Sequence, residues 1–314
     1  MKRTIAGLRP VWDGLLLVLG VVVAVDVLTA VLPGLPDVRL PGGLASVAGV
    51  VAGFLVLTVL IGLAPEAGEL GPVDLAPPVR GRWSSLNGPG QRLPSHGTRT
   101  RGQYAAIDVC GVSDASTPKI LRFGLRSSRP EQYPWFGEPV LAMAGGTVVR
   151  VRDRQRDHRA RDTWQALLVM LTVEGLVREA AGTGRVLGNH VVVDHGDGTF
   201  AAYAHLRRGS AAVGVGDRVE TGQQLGEIGN TGNTSMPHLH VQLMDRASVD
   251  AAAGIVMRWT GVELSGELDP QLAPSAKEPA DTAVEGMPRN AEIFTAAPDV
   301  TPTEAARGSR RRPR

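Results

Sequence analysis

The chain of 314 residues is poor in cysteine, lysine and aromatics, and neither sign of charge dominates. Cys110 is the single cysteine, which excludes an internal disulfide framework and a cysteine-cluster zinc site. A metal in this protein therefore has to be held by histidines and carboxylates. Aromatics are 4% of residues while apolar residues are 43%, so the core must be built from Val, Leu, Ala and Ile. Lys+Arg of 33 against Asp+Glu of 31 leaves +2, without the basic excess of a nucleic-acid-binding chain. The only lysines are Lys2, Lys119 and Lys277. What is plentiful is glycine (39) and proline (22), which favours tight turns and argues against a helical bundle.

Two apolar runs open the chain after a basic N-terminus (residues 1–13). Residues 14–32 carry one charge, Asp26, and residues 43–63 carry none. Each reaches the roughly 20 residues that a membrane-crossing helix needs, so two N-terminal transmembrane helices are expected. Gly49 and Gly53 form a GxxxG pair suited to close helix packing. Lys2, Arg3 and Arg9 before the first run, with Arg80 and Arg82 after the second, would put both ends in the cytoplasm if both runs span. If only the second spans, everything after residue 64 lies outside. A Pro/Gly/Glu-rich linker is expected over 64–82. Residues 83–262 alternate apolar and polar positions between glycine turns, the pattern of a compact antiparallel β domain. Within it, 153–186 reads as a helical insertion packed on the sheet. Residues 263–314, rich in Pro, Ala, Glu and Thr and ending RGSRRRPR, read as a disordered tail.

Chemistry points to the histidines. His238 and His240 stand two apart in PHLHVQL, and alternate residues of a strand share a face. Such a pair can set a metal ligand beside a second imidazole. Upstream, YAHL ends a strand with His205, SHGTRTRGQYAAID places His96 in a turn-rich loop, and Asp108 lies in a β-like run. Two histidines, one carboxylate and a water are the usual composition of a hydrolytic zinc centre. No HExxH helix supplies a glutamate base, so proton transfer would fall to spare histidines. Nothing around His158, His190 or His195 singles them out.

The ordered motifs SHG…AID, GNHVVVDHGDGTFAAYAHL, GDRVETGQQLGEIGNTGNT and PHLHVQL resemble the lysostaphin-type (LytM-type) zinc endopeptidases of bacterial cell walls, over about residues 80–262. The resemblance implies that His96, Asp108 and His240 hold one zinc ion. It implies that His205 and His238 are catalytic histidines that polarise the water and stabilise the tetrahedral intermediate. The commonest first motif of the family sets its histidine and aspartate four residues apart; here GTRTRGQYAAI separates them and must loop out. The expected function is a membrane-anchored zinc metalloendopeptidase acting on peptidoglycan peptides, with its domain facing the wall; no nucleic-acid partner is expected. The alternative is a catalytically inactive module of the same fold that regulates other wall hydrolases. A biotinyl or lipoyl carrier, suggested by VGVGDRVETGQQLGEIG, is excluded because no lysine lies between Lys119 and Lys277.

Overall fold

The structure, a computed structural model, describes residues 1–32, 42, 44–67 and 71–297. The apolar N-terminal runs form helices. A short helix α1 (Lys2–Gly7) leads into α2 (Arg9–Val31), with Pro10 in its first turn, where no amide partner is needed. Helix α3 (Leu44–Gly62) packs against α2, and Gly53 sits against the Leu19 side chain. Both α2 and α3 are long and apolar enough to cross a membrane. Residues 33–41 between them lie outside the described residues, as does the arginine-rich end of the chain.

The rest is mainly β. In chain order the strands are β1 (Val73–Leu75), β2 (Gly81–Leu86), β3 (Ile107–Gly111), β4 (Pro139–Leu141), β5 (Gly146–Arg152), β6 (Asn189–Asp194) and β7 (Phe200–Leu206). There follow β8 (Arg218–Val219), β9 (Gln224–Glu227), β10 (Leu239–Met244), β11 (Gly254–Ile255), β12 (Met257–Trp259), β13 (Val262–Leu268) and β14 (Glu292–Ala296). The main sheet runs β13-β14-β2-β3-β10-β7-β6-β5-β8, antiparallel throughout, with β11 added to β10. The pairs β4–β9 and β1–β12 stand apart from it, the latter parallel.

Period-two alternation sorts the central strands onto two faces. Ile107, Val109, Val191, Val193, Ala201, Tyr203, Leu239, Val241 and Leu243 enter the main core. The opposite face carries a smaller cluster with Leu187, Val192, Ala202, Ala204 and Met244, and it is this second face that bears Asp108 and His240.

Three expectations about organisation are corrected. Residues 153–162 are not helical. Their carboxylates serve neighbouring loop amides instead: Asp157 accepts from Arg208 and Asn230, and Asp153 from Gly209. The helix starts only at Trp164, where the Thr163 hydroxyl caps the Ala166 amide. It continues as α4 (Trp164–Val169), a wider π turn (Met170–Glu174) and α5 (Gly175–Ala180), before a short α6 (Thr183–Val186). Residues 263–297 are not a disordered tail: β14 inserts between β13 and β2, burying Ile293 and Phe294. Asp269, fully buried between these strands, accepts from the Ser113 amide and hydroxyl. The segment 64–82 is likewise not all linker, since β1 and the start of β2 fall within it.

Candidate metal centre

Two strands and one loop converge on Asp108. His240 on β10 and Asp108 on β3 are directly opposed partners, so their side chains emerge together, with His240 Nδ1 2.8 Å from Asp108 Oδ1. His238, two residues earlier, faces the same way, its Nε2 3.6 Å from that oxygen. His96 comes from the loop before β3, its Nε2 3.2 Å from the same oxygen. The eleven intervening residues loop out through a 3₁₀ turn (Thr100–Ala105), and Ser95 closes the excursion. The Ser95 amide donates to the Tyr104 carbonyl and its hydroxyl to that of Ala106.

His205 arrives by another route. Strict alternation along β7 would send it into the main core beside Ala201 and Tyr203. Instead the β6–β7 ladder shifts: Asn189 pairs with Leu206, His190 with Ala204, and His205 is left over with φ of 63°. This bulge turns the imidazole onto the site face and returns Leu206 to the core. Left-handed backbone at a non-glycine residue costs on the order of 1–3 kcal/mol. Two backbone bonds hold it there, from the His205 amide to Leu187 and from the Gly229 amide to His205. The His205 ring then lies 4.8 Å from that of His238 and 5.8 Å from that of His240, centre to centre.

The outer partners decide which nitrogen of each ring is free. Gln242 donates its amide NH₂ to the Arg101 carbonyl, so its oxygen accepts from His240 Nε2 at 2.9 Å. In the neutral ring that leaves Nδ1 of His240 as a lone pair beside Asp108, whereas the protonated ring donates from Nδ1 to Asp108 Oδ1. His205 Nδ1 donates to the Thr231 carbonyl and His238 Nδ1 to that of Met236, both at 2.8 Å. Both rings therefore present Nε2 lone pairs to the site. Asn87 donates to Asp108 Oδ2 at 2.9 Å, which reserves Oδ1 for the three imidazoles.

Burial alone would raise the Asp108 pKa. The facing His96 and His238 and the hydrogen bonds from His240 and His96 outweigh it, holding the carboxyl well below its usual range. Burial, reinforced by the other imidazoles, pushes His205 well down. His238 is lowered mainly by burial, against the pull of Asp108. Burial would lower His240 too, but its hydrogen bond to Asp108 and the charge there raise it.

His96, Asp108 and His240 each offer one ligand atom, all within 4.8 Å of one another. A tetrahedral ion with bonds near 2.0–2.1 Å spaces its ligand atoms about 3.3 Å apart. The two contacts to Asp108 Oδ1, 3.2 and 2.8 Å, already approximate that spacing. Two imidazoles and an ionised carboxylate thus fit a small divalent cation. The groove over them, about 380 Å³, is bordered opposite by Met170, Glu179 and Arg9. His158, His190 and His195 lie outside the cluster, each held by a backbone carbonyl. Buried Cys110 joins the apolar core.

Three contributors had escaped sequence reasoning. Gln242 follows His240 by two and could have been found by the same alternation. Asn87 and Arg101 carry no local signal. Arg101 is buried with φ of 55°, and its guanidinium pairs with Asp13 of α2 (3.1 Å), Glu179 of α5 and Asp250 (3.2 Å). A continuous path thus runs from His240 through Gln242 and Arg101 to the N-terminal helix.

An antiparallel β domain bearing a His–Asp–His donor set flanked by two more imidazoles is the arrangement that the lysostaphin-type motifs of the sequence imply. In agreement, residues 165–251 match the model of Peptidase family M23. The match contains His205, His238 and His240, with His96 and Asp108 upstream of it. The chain is 37% identical over 79 residues to the Cell division protein DipM of Caulobacter vibrioides, covering 25% of this chain and 13% of that protein. It is 42% identical over 59 residues to the Peptidoglycan DD-endopeptidase ShyA of Vibrio cholerae, covering 19% and 13% respectively. Both alignments thus take in only a small part of the relative's length. The catalytic domain of lysostaphin from Staphylococcus simulans aligns with a TM-score of 0.26 at 21% identity, over 46% of this chain and 88% of that one.

Proposed function

We propose that this protein is a membrane-anchored zinc endopeptidase that hydrolyses peptide bonds in peptidoglycan, the stem peptides or the cross-bridges. The observation that carries this reading is the pair of Nε2 lone pairs on His205 and His238, aimed by backbone carbonyls at a His96–Asp108–His240 donor set. His96 Nε2, Asp108 Oδ1 and His240 Nδ1 would hold the ion. Zinc bound there supplies a Lewis acid that polarises the scissile carbonyl and makes a nearby water more acidic. As that water adds to the carbonyl, its proton passes to Nε2 of His205 or His238. The imidazolium so formed hydrogen-bonds the developing oxyanion. Collapse breaks the C–N bond, and the stored proton leaves on the amine.

Helices α2 and α3 would cross the membrane as a hairpin. The contacts of residues 1–13 with the domain, Arg3 with Asp245 (2.5 Å) and Asp13 with Arg101 (3.1 Å), support a hairpin with both ends on one side. On this reading that side is the outer one, where peptidoglycan lies.

The test incubates the full chain with purified peptidoglycan and follows released amines and fragment masses. Zinc-dependent release is expected, and His240→Ala should lose both zinc and release. His205→Ala should keep zinc and lose roughly 10²–10⁴-fold in turnover. No zinc and no release from the folded wild-type chain would sink the proposal in favour of a binding module.

A further inference from the structure

The helix from Trp164 to Ala180 has its polarity inverted. Its charged residues, Glu174, Arg178 and Glu179, turn toward the domain and are paired: Glu174 with Arg161 (2.7 Å) and Arg178 (3.9 Å), Glu179 with Arg101 and with Arg9 (3.7 Å). Its exposed side instead carries Trp164, Leu168, Val169, Leu171, Val173 and Leu176. A helix on a water-facing surface shows the reverse arrangement. A contiguous apolar face of this size marks an interaction surface. It does not stop at the helix: the Phe123 ring lies 6.4 Å from that of Trp164, and Phe123 and Leu125 are 82% and 92% exposed.

Cations of one sign are interleaved with this apolar loop. Lys119, Arg122, Arg126, Arg129 and Arg159 line a depression together with Ser127 and Ser128. Arg122 is held by Asp162, whereas Lys119, Arg126 and Arg129 make no ion pair among the described residues. At its other end the helix meets α2, where Arg9 approaches Glu179 and Gly182 abuts Pro10. The apolar face therefore begins beside the start of a helix fit to cross a membrane.

We infer that the helix Trp164–Ala180 and the loop 119–129 form a second membrane contact, lying in the interface of an anionic leaflet. The apolar side chains enter the headgroup–acyl boundary, and the loop cations take lipid phosphates. The bilayer is the occupant that meets both features at once, and it is continuous with α2. The inner side of the same helix lines the metal groove through Met170 and Glu179. The groove is thereby held at the membrane surface, restricting it to peptides that lie close to the bilayer. This extends the membrane attachment proposed above, and the experiment separates the two.

Single spin labels are placed at positions 123 and 171, at Val215 as a control, and at Val18 of α2, in the full chain reconstituted into vesicles. Cys110, 1% exposed, is left in place. The vesicles are equal parts phosphatidylglycerol and phosphatidylcholine, or phosphatidylcholine alone. Collisions with oxygen are expected to exceed those with a nickel chelate at 123 and 171, with the opposite order at 215. Removing phosphatidylglycerol should shift position 123 toward water. Labels at 123 and 171 that are as water-exposed as 215, while 18 is in lipid, would overturn the surface contact and leave the span intact. Shielding of 123 and 171 from both colliders, with spin–spin broadening lost on dilution by unlabelled chain, would assign the face to a second copy and also overturn it. Water exposure at 18 alone would overturn only the span.

Discussion

Replacing Gln242 tests how the donor set is held. Gln242 is fully buried, accepts from His240 Nε2 at 2.9 Å and donates to the Arg101 carbonyl at 2.7 Å. In Gln242→Leu the His240 proton loses its acceptor and can move to Nδ1, the atom that faces Asp108. The Arg101 carbonyl also loses its donor, and each buried group left unpaired costs about 1–3 kcal/mol. Loss of an outer hydrogen-bond partner typically weakens a metal site by roughly 10–100-fold, or about 1.4–2.7 kcal/mol. Gln242→Glu is isosteric: with its buried carboxyl protonated against the Arg101 carbonyl, it keeps both the acceptor for His240 and the donor to Arg101. Zinc affinity is measured on the chelator-stripped full chain in detergent by competition with a chromophoric chelator. The leucine variant is expected to bind 10–100-fold more weakly and the glutamate variant close to wild type, as the general magnitude for such partners suggests. A leucine variant with wild-type affinity, or a glutamate variant that falls as far, would refute the role assigned to Gln242.

Burial lowers the His190 pKa from 6.5 to about 4, so protonation favours the unfolded chain and stability falls as pH drops through that window. The loss works out to about 2 kcal/mol by pH 5, with a ceiling near 3. Urea unfolding from pH 7.5 to 5 should show a loss about 2 kcal/mol smaller in His190→Leu than in wild type, the other buried histidines contributing to both; equal losses would contradict it. Asp13→Ala leaves Arg101 short of one buried partner, at a cost of roughly 1–3 kcal/mol, and should speed hydrogen exchange at the Arg101 and Gln242 amides. Unchanged exchange would disconnect α2 from the site. Gly229→Ala would drive a Cβ to 2.2 Å from the Arg207 nitrogen, beside the bulge that aims His205. It should lower turnover while sparing zinc, and wild-type turnover would show that the bulge tolerates displacement.

Much of the site was legible because it depends on short-range periodicity. His238 and His240 share a face because strand side chains alternate, and that rule needs no tertiary information. The pairing of His240 with Asp108 was not legible, since it depends on β3 and β10, distant in sequence, becoming neighbours in one register. His205 shows the limit of the rule. Alternation sends it to the wrong face, and only the one-residue slip against β6 corrects it. Segment 263–297 was misread for a related reason. Its composition is that of an unfolded tail, yet β14 gains its burial from an edge that β2 provides. The charged stretch 153–162 was misread because its aspartates cap amides that arrive from far along the chain.

Residue order alone settles which side chains can do chemistry here: one cysteine and no HExxH helix leave histidines and a carboxylate, and two apolar runs are long enough to span. Those are properties of composition and local spacing. The folded chain decides which nitrogen each imidazole presents, which face His205 occupies, and that α2 borders the groove. These depend on strand register, a bulge and buried ion pairs between segments far apart in sequence. Such contacts exist only once the sheet has closed around them.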